Sequence, residues 1–187
     1  MVKIVQATIT LLLCGGVFAC HLHLTKRVHN AISTDIPATA IKGDFDGDGM
    51  QEWAWVTPPH IAGDSISCVG KCTATIQFSG NNIKSIKVDG SIGGELTNLG
   101  DLNDDGTDEI GVLPDWFAGC WRNYQVYTYK HRTWANAVPP FPVHCNTREE
   151  ELPLIQKDTN IKAHVLIRYS AIENAGIVTK IKSVPVH

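Results

Sequence analysis

Two short stretches of the chain gather the residue types that bind a hard cation. GDFDGDGMQEW spans residues 43–53 and GDLNDDGTDEI spans residues 100–110. Counted from the first aspartate, the first loop offers Asp44, Asp46 and Asp48 at positions one, three and five, Met50 at seven and Glu52 at nine. The second offers Asp101, Asn103, Asp105, Thr107 and Glu109 at the same places. Calcium takes six to eight oxygen ligands, and a tight turn brings alternate side chains to one centre. Gly49 and Gly106, at position six, permit the dihedrals such a turn needs. Position seven contributes its backbone carbonyl, so Met50 and Thr107 serve equally well. The donors are all oxygen, without His or Cys, which suits calcium better than zinc or copper.

Charge counting points the same way. Asp44, Asp46, Asp48, Glu52, Asp101, Asp104, Asp105, Asp108 and Glu109 are nine of the 19 acidic residues in the chain. Like charges this close loosen a turn unless a cation compensates. The plainer alternative is a pair of acidic surface turns without an ion. Catalytic carboxylates are disfavoured, because acid–base pairs need burial and a cleft rather than glycine-rich alternation.

These are not EF-hands. The bidentate Glu of position twelve is missing, with Trp55 and Val112 in its place, and the flanks are strand-like. The pattern instead resembles the FG-GAP family, the integrin-α-like repeats also labelled VCBS, whose calcium loops join adjacent strands of a β-propeller blade. The resemblance implies two calcium ions. One would be held by Asp44, Asp46, Asp48 and Glu52, the other by Asp101, Asn103, Asp105 and Glu109. It covers residues 38–58 and 93–115; the family's FG and GAP words are degraded, with IGG near residue 92 and VLP after the second loop.

The elements around the loops read as strands. TATIQF and IKSIKV are short, β-branched and joined by the turn-like FSGNN; NYQVYTY alternates; IKAHVLIRYS and GIVTKIKSV flank the turn IENAG. No segment holds a helical stripe over three turns. The two loops align without gaps, and their first aspartates lie 57 residues apart, a length suited to a four-stranded unit. Two repeats cannot close a propeller ring, which takes about four to eight blades. The expected fold is therefore all-β: two propeller-blade-like antiparallel sheets with calcium loops between strands, closed by the C-terminal strands and stapled by disulfides. The repeats would cover about residues 38–90 and 93–140 of a single β domain, 37–187. A part-ring completed by self-association is the alternative.

The first residues, MVKIVQATITLLLCGGVFAC, read as an export signal, 1–19, followed by a polar tether, 20–36. VFAC resembles a bacterial lipobox, with Cys20 as the lipidated first residue of the mature chain; ordinary cleavage after Ala19 fits the same residues. Four cysteines remain, and in an exported chain an even number favours disulfides. The first pairing is Cys68–Cys72 with Cys120–Cys145, a four-cysteine zinc site being the alternative.

Five aromatics follow the second loop: Trp116, Phe117, Trp121, Tyr124 and Tyr127. They serve either as core or as a surface on which Trp116 and Trp121 meet a ligand. Of Trp53 and Trp55, one is expected in the core. His144 beside Cys145 is better explained by a disulfide than by a nucleophile. A formal charge of −3 and the lack of any basic, aromatic-interleaved run exclude nucleic acid as an expected partner. The expectation is a non-enzymatic, calcium-stabilised envelope protein, in the outer membrane or periplasm through a lipid anchor or otherwise secreted, that binds a protein or glycan. An exported hydrolase or accessory subunit with an unrecognised active site is the alternative.

Overall fold

The computed structural model of the chain describes residues 36–63, 66–80, 82–149 and 152–187. The export signal, Cys20 and nearly all of the tether lie outside the described residues. Residues 34–187 form one unit.

Within it the acidic loops sit at matching points of two four-stranded antiparallel sheets. The first sheet runs in sequence order β1 (Ile41–Gly43), β2 (Glu52–Thr57), β3 (Thr73–Phe78) and β4 (Ile86–Asp89). The second repeats the order with β5 (Gly93–Asn98), β6 (Ile110–Asp115), β7 (Arg122–Lys130) and β8 (Thr133–Val143). Each acidic loop joins the first strand of its sheet to the second. A short helix, α1 (Cys145–Glu149), then leads to β9 (Ile155–Lys157), β10 (His164–Glu173) and β11 (Gly176–Pro185), a third sheet in the order β11-β10-β9. The all-β expectation is met, with antiparallel pairing throughout.

Alternating side chains decide the layering. Along β7, Tyr124 and Val126 join a core with Phe141, Val165, Ile167 and Val186 of the C-terminal segments. Tyr129 points the other way, with Ile110 and Val112, into a core shared with Phe45, Ala54, Ile76 and Val88 of the first sheet. The second sheet is thus apolar on both faces, as a central layer must be.

One detail differs from the sequence reading, and two add to it. Trp53 and Trp55 are both half-buried, and Ala54 between them is the core residue. The strand is turned so that Glu52 and Ala54 face inward; Trp53 takes Lys42 over its ring, 5.6 Å from the centroid. β8 was unreadable because it carries Pro139, Pro140 and Pro142. It lies at the edge of its sheet, and the pairing register shifts across Pro139 and Pro140, which is where a sheet tolerates them. α1 is too short to show a periodic stripe.

Both two-residue hairpins use consecutive left-handed residues, His131 and Arg132 between β7 and β8, Asn174 and Ala175 between β10 and β11. This is the primed turn geometry that matches strand twist. The disulfides pair as expected, Cys68–Cys72 and Cys120–Cys145.

Candidate metal-binding loops

The two loops fold alike, position for position. The amide of position six donates to the position-one carboxylate, Gly49 to Asp44 and Gly106 to Asp101, both at 2.9 Å. The amide of position five donates to position three, Asp48 to Asp46 at 3.3 Å and Asp105 to Asn103 at 3.0 Å. That of position seven donates to position five, Met50 to Asp48 at 2.8 Å and Thr107 to Asp105 at 3.0 Å. The Glu at position nine accepts the amide of position two, Glu52 from Phe45 at 3.1 Å and Glu109 from Leu102 at 2.6 Å. These bonds curl the backbone around the alternate side chains.

Two positions in each loop are left-handed. Position six is glycine in both, Gly49 at φ 84° and Gly106 at φ 90°; position four is Gly47 at φ 73° and Asp104 at φ 62°. Aspartate tolerates this region better than most residues, which is why Asp104 can replace glycine. Position two is the anchor. Phe45 and Leu102 are buried, one in each core, so each loop is pinned by an apolar side chain that a search for ligands overlooks.

One carboxylate oxygen from each of Asp44, Asp46 and Asp48 lies within 4.8 Å of the others. Ligands on opposite sides of a calcium ion are about twice 2.3–2.6 Å apart, and the three oxygens lie within that limit. Among the described residues, two buried side-chain oxygens have no hydrogen-bond partner, Asp44 Oδ1 in the first loop and Glu109 Oε1 in the second. A buried, unpartnered carboxylate oxygen is costly, and a bound cation is a natural remedy. Met50 is 69% exposed, in keeping with a residue whose carbonyl alone would matter. Asn103 is oriented by its amide nitrogen, which donates to the His187 carbonyl oxygen at 2.8 Å and leaves Oδ1 on the loop side.

The electrostatics follow from burial. Burial pushes Glu109 up to about 7, opposed by the Leu102 amide and the Thr128 hydroxyl and assisted by Asp105 and Asp101. Glu52 is raised for the same reason, the Phe45 amide opposing and Asp46, Asp48 and Asp44 assisting. Asp105 goes the other way. Burial alone would raise it, but the hydroxyl and amide of Thr107, Lys130 and Asn103 together hold it below its usual value. Lys130 Nζ stands 3.2 Å from Asp105 Oδ2.

A pH dependence of the calcium-free protein follows. A carboxyl raised in the fold contributes stability that is complete below its unfolded value of 4.5 and is lost as pH rises through about 7. For Glu109 the loss is roughly 3 kcal/mol. The calcium-free chain should therefore melt at a lower temperature above pH 7 than at pH 4.5, and calcium should erase most of the difference. Melting curves at the two pH values, with and without calcium, check this.

The loops also touch each other. The Asp108 amide donates to the Asp44 carbonyl at 2.8 Å, and Asp108 Oδ2 accepts from the Asp44 amide at 3.0 Å and from Asn98 Nδ2 at 2.9 Å. Asn98 Nδ2 also donates to the Lys42 carbonyl, 2.9 Å away. Gly43 is glycine because a Cβ there would lie 2.6 Å from Asn98 Nδ2 and 2.7 Å from Asp108 Oδ2. In sequence Asp108 is one more charge; in the fold it ties position one of the first loop to position eight of the second. Asp108→Ala should destabilise the fold by about 2 kcal/mol, the scale of lost charge-assisted hydrogen bonds. It should also weaken metal binding by the first loop, to which it contributes no ligand. Asp108→Asn, which keeps an acceptor oxygen, should recover part of both, as melting curves and calcium titrations will show.

The remaining sequence candidates lie elsewhere. Trp116 and Trp121 are 42% and 41% exposed, so neither is core. The disulfide of Cys120 and Cys145 carries the chain from the aromatic segment to α1. His144 lies beside it, 3.8 Å from Cys145 Sγ, with the sulfur already bonded.

Comparison with protein-family models, curated proteins and solved structures returns no match.

Proposed function

We propose that the chain is a calcium-stabilised, non-enzymatic protein that binds a protein or a glycan outside the cytoplasm. The observation that carries this is the pair of loops, alike in four hydrogen bonds each and each holding a buried carboxylate oxygen without a partner. In this reading Asp44, Asp46, Asp48, Glu52 and the Met50 carbonyl hold one calcium ion. Asp101, Asn103, Asp105, Glu109 and the Thr107 carbonyl hold the other. The ion supplies charge neutralisation and a cross-link between consecutive strands, and no bond-making chemistry is required of it.

Placement of each loop between the first two strands of a four-stranded antiparallel sheet supports the FG-GAP resemblance, with each sheet as a blade-like unit. Two disulfides favour an oxidising compartment. That agrees with export and with a lipid anchor at Cys20 in the outer membrane or periplasm. The hydrolase reading is the weaker one. Of four surface depressions on the described residues, none combines two carboxylates, or a histidine with a carboxylate. A depression with such a pair would have offered an acid and a base side by side for hydrolysis.

Calorimetric titration tests the proposal. The metal-depleted chain should take up two calcium ions, one after Asp44→Asn or Asp101→Asn, and none after both. Uptake of no calcium by the unaltered chain rejects it.

A further inference from the structure

The segment between β6 and β7 holds two tryptophans at the surface and fixes them there. Leaving two indoles half in water forgoes about 25 cal/mol for each Å2 that burial would remove. Yet the segment is rigidly built. The Arg122 guanidinium donates to the carbonyls of Trp121 at 2.8 Å, Gly119 at 3.1 Å and Trp116 at 3.2 Å. Cys120 is bonded to Cys145, Phe117 packs against Trp116 with ring centres 5.2 Å apart, and His144 lies 5.0 Å from Trp121. Exposed aromatics set in place by a disulfide and an arginine are organised before any ligand arrives.

Between them lies a depression of about 260 Å3, lined by Asp89, Gly90, Pro114, Asn123 and Gln125 as well as the two tryptophans. Asn123 and Gln125 alternate along β7 and so share one face about 7 Å apart, with Trp121 just before the strand lining the same depression. Asp89 ends β4 in the first sheet and is fixed by the Thr73 hydroxyl, 2.7 Å from its Oδ1. The Tyr127 hydroxyl donates to Gln125 Oε1 and orients that amide. The lining is therefore amide and carboxylate on the walls and indole at the rim.

We propose that this depression binds one pyranose ring of a neutral oligosaccharide. The inference rests on the reading of the chain as a binding protein and names its ligand class. A sugar ring offers an apolar C–H face, which suits an indole, and adjacent hydroxyls that both donate and accept, which suits Asn, Gln and Asp side chains. An acidic sugar is disfavoured. Arg122 is the only cation in the lining, its guanidinium is occupied by three carbonyls, and Asp89 offsets its charge. A protein anchor is disfavoured as well, because the buried core of a protein interface is mostly apolar and depleted of charge, whereas Asp89, Arg122, Asn123 and Gln125 line this depression.

The test uses the full chain in calcium, with cello-, xylo-, manno-, chito- and maltohexaose as neutral probes and polygalacturonate as the acidic one. Tryptophan fluorescence and calorimetry read binding. At least one neutral probe should give a saturable response, and Trp116→Ala or Trp121→Ala should weaken it by about tenfold or more, equal to about 1.4 kcal/mol. Asn123→Ala should weaken it with the melting temperature unchanged. Trp116→Phe and Trp121→Phe keep a ring and should retain binding, which guards against an alanine variant that merely unfolds. The proposal is overturned by silence across the neutral panel, by a response to polygalacturonate alone, or by undiminished binding in the double alanine variant. Calcium uptake on the same samples separates the two claims: two bound ions with no sugar response removes the carbohydrate site and leaves the calcium reading standing.

Discussion

Removing calcium should lower the melting temperature of this protein by about 10–20 °C. A site holding ligand at a hundred times its dissociation constant contributes about 2.7 kcal/mol, and two such sites contribute about 5. For a chain of this size each kcal/mol moves the midpoint by about 2–4 °C. The physical reason lies in where the carboxylates are. Asp44, Asp46 and Asp48 bring oxygens within 4.8 Å of one another, and Glu109 is fully buried with one oxygen unpartnered. Their repulsion and desolvation remain in the fold when the cation leaves. Because the loops meet at Asp44 and Asp108, losing one ion should also loosen the other site, and the two should titrate with positive coupling. Circular dichroism melts in chelator and in millimolar calcium provide the comparison. Coincident curves would show that the loops are acidic turns and nothing more.

Opening the Cys120–Cys145 bridge should be the next largest change. The bond closes a long loop, with a sequence separation of 25, against 4 for Cys68–Cys72. Chain entropy alone assigns it roughly 3 kcal/mol and the shorter one about 2. The longer bridge also joins two parts of the molecule. Its Cys145 end opens α1, which is held to the third sheet through Thr147: that hydroxyl lies 2.8 Å from Ser170 Oγ and 3.0 Å from Thr179 Oγ1, and Arg168 donates to the Thr147 carbonyl at 2.9 Å. Its Cys120 end holds the Trp116–Trp121 segment. Cys120→Ser with Cys145→Ser should lower the melting temperature by about 6–12 °C, and Cys68→Ser with Cys72→Ser by less. If the shorter bridge costs more, the entropic account is wrong.

Much of this was legible in the sequence because it depends on spacing. Alternate acids with glycine at position six define the loops, β-branched runs define β3 and β11, and the 57-residue offset anticipates two matching sheets. What was hidden depends on long-range placement. Nothing local distinguishes Asp108 from the other acids, and its function appears only when Asp44, 64 residues away, arrives beside it. Which of Trp53, Ala54 and Trp55 faces inward depends on strand rotation. Two large rings around a small residue invite the wrong choice, and the buried Phe45 and Glu52 fix the actual one. β8 was hidden because prolines mark a segment as a non-strand, whereas an edge position accommodates them. Position two of each loop shows a related gap: Phe45 and Leu102 look like spacers between ligands, and each is an anchor in a different core.

The central claim is that both loops hold calcium through alternate oxygens, and diffraction from crystals grown in calcium tests it most directly. The account predicts two anomalous peaks, one among Asp44, Asp46 and Asp48, the other among Asp101, Asn103 and Asp105, each with oxygen ligands at about 2.3–2.6 Å. Crystals grown in millimolar calcium with no peak in either loop would contradict it.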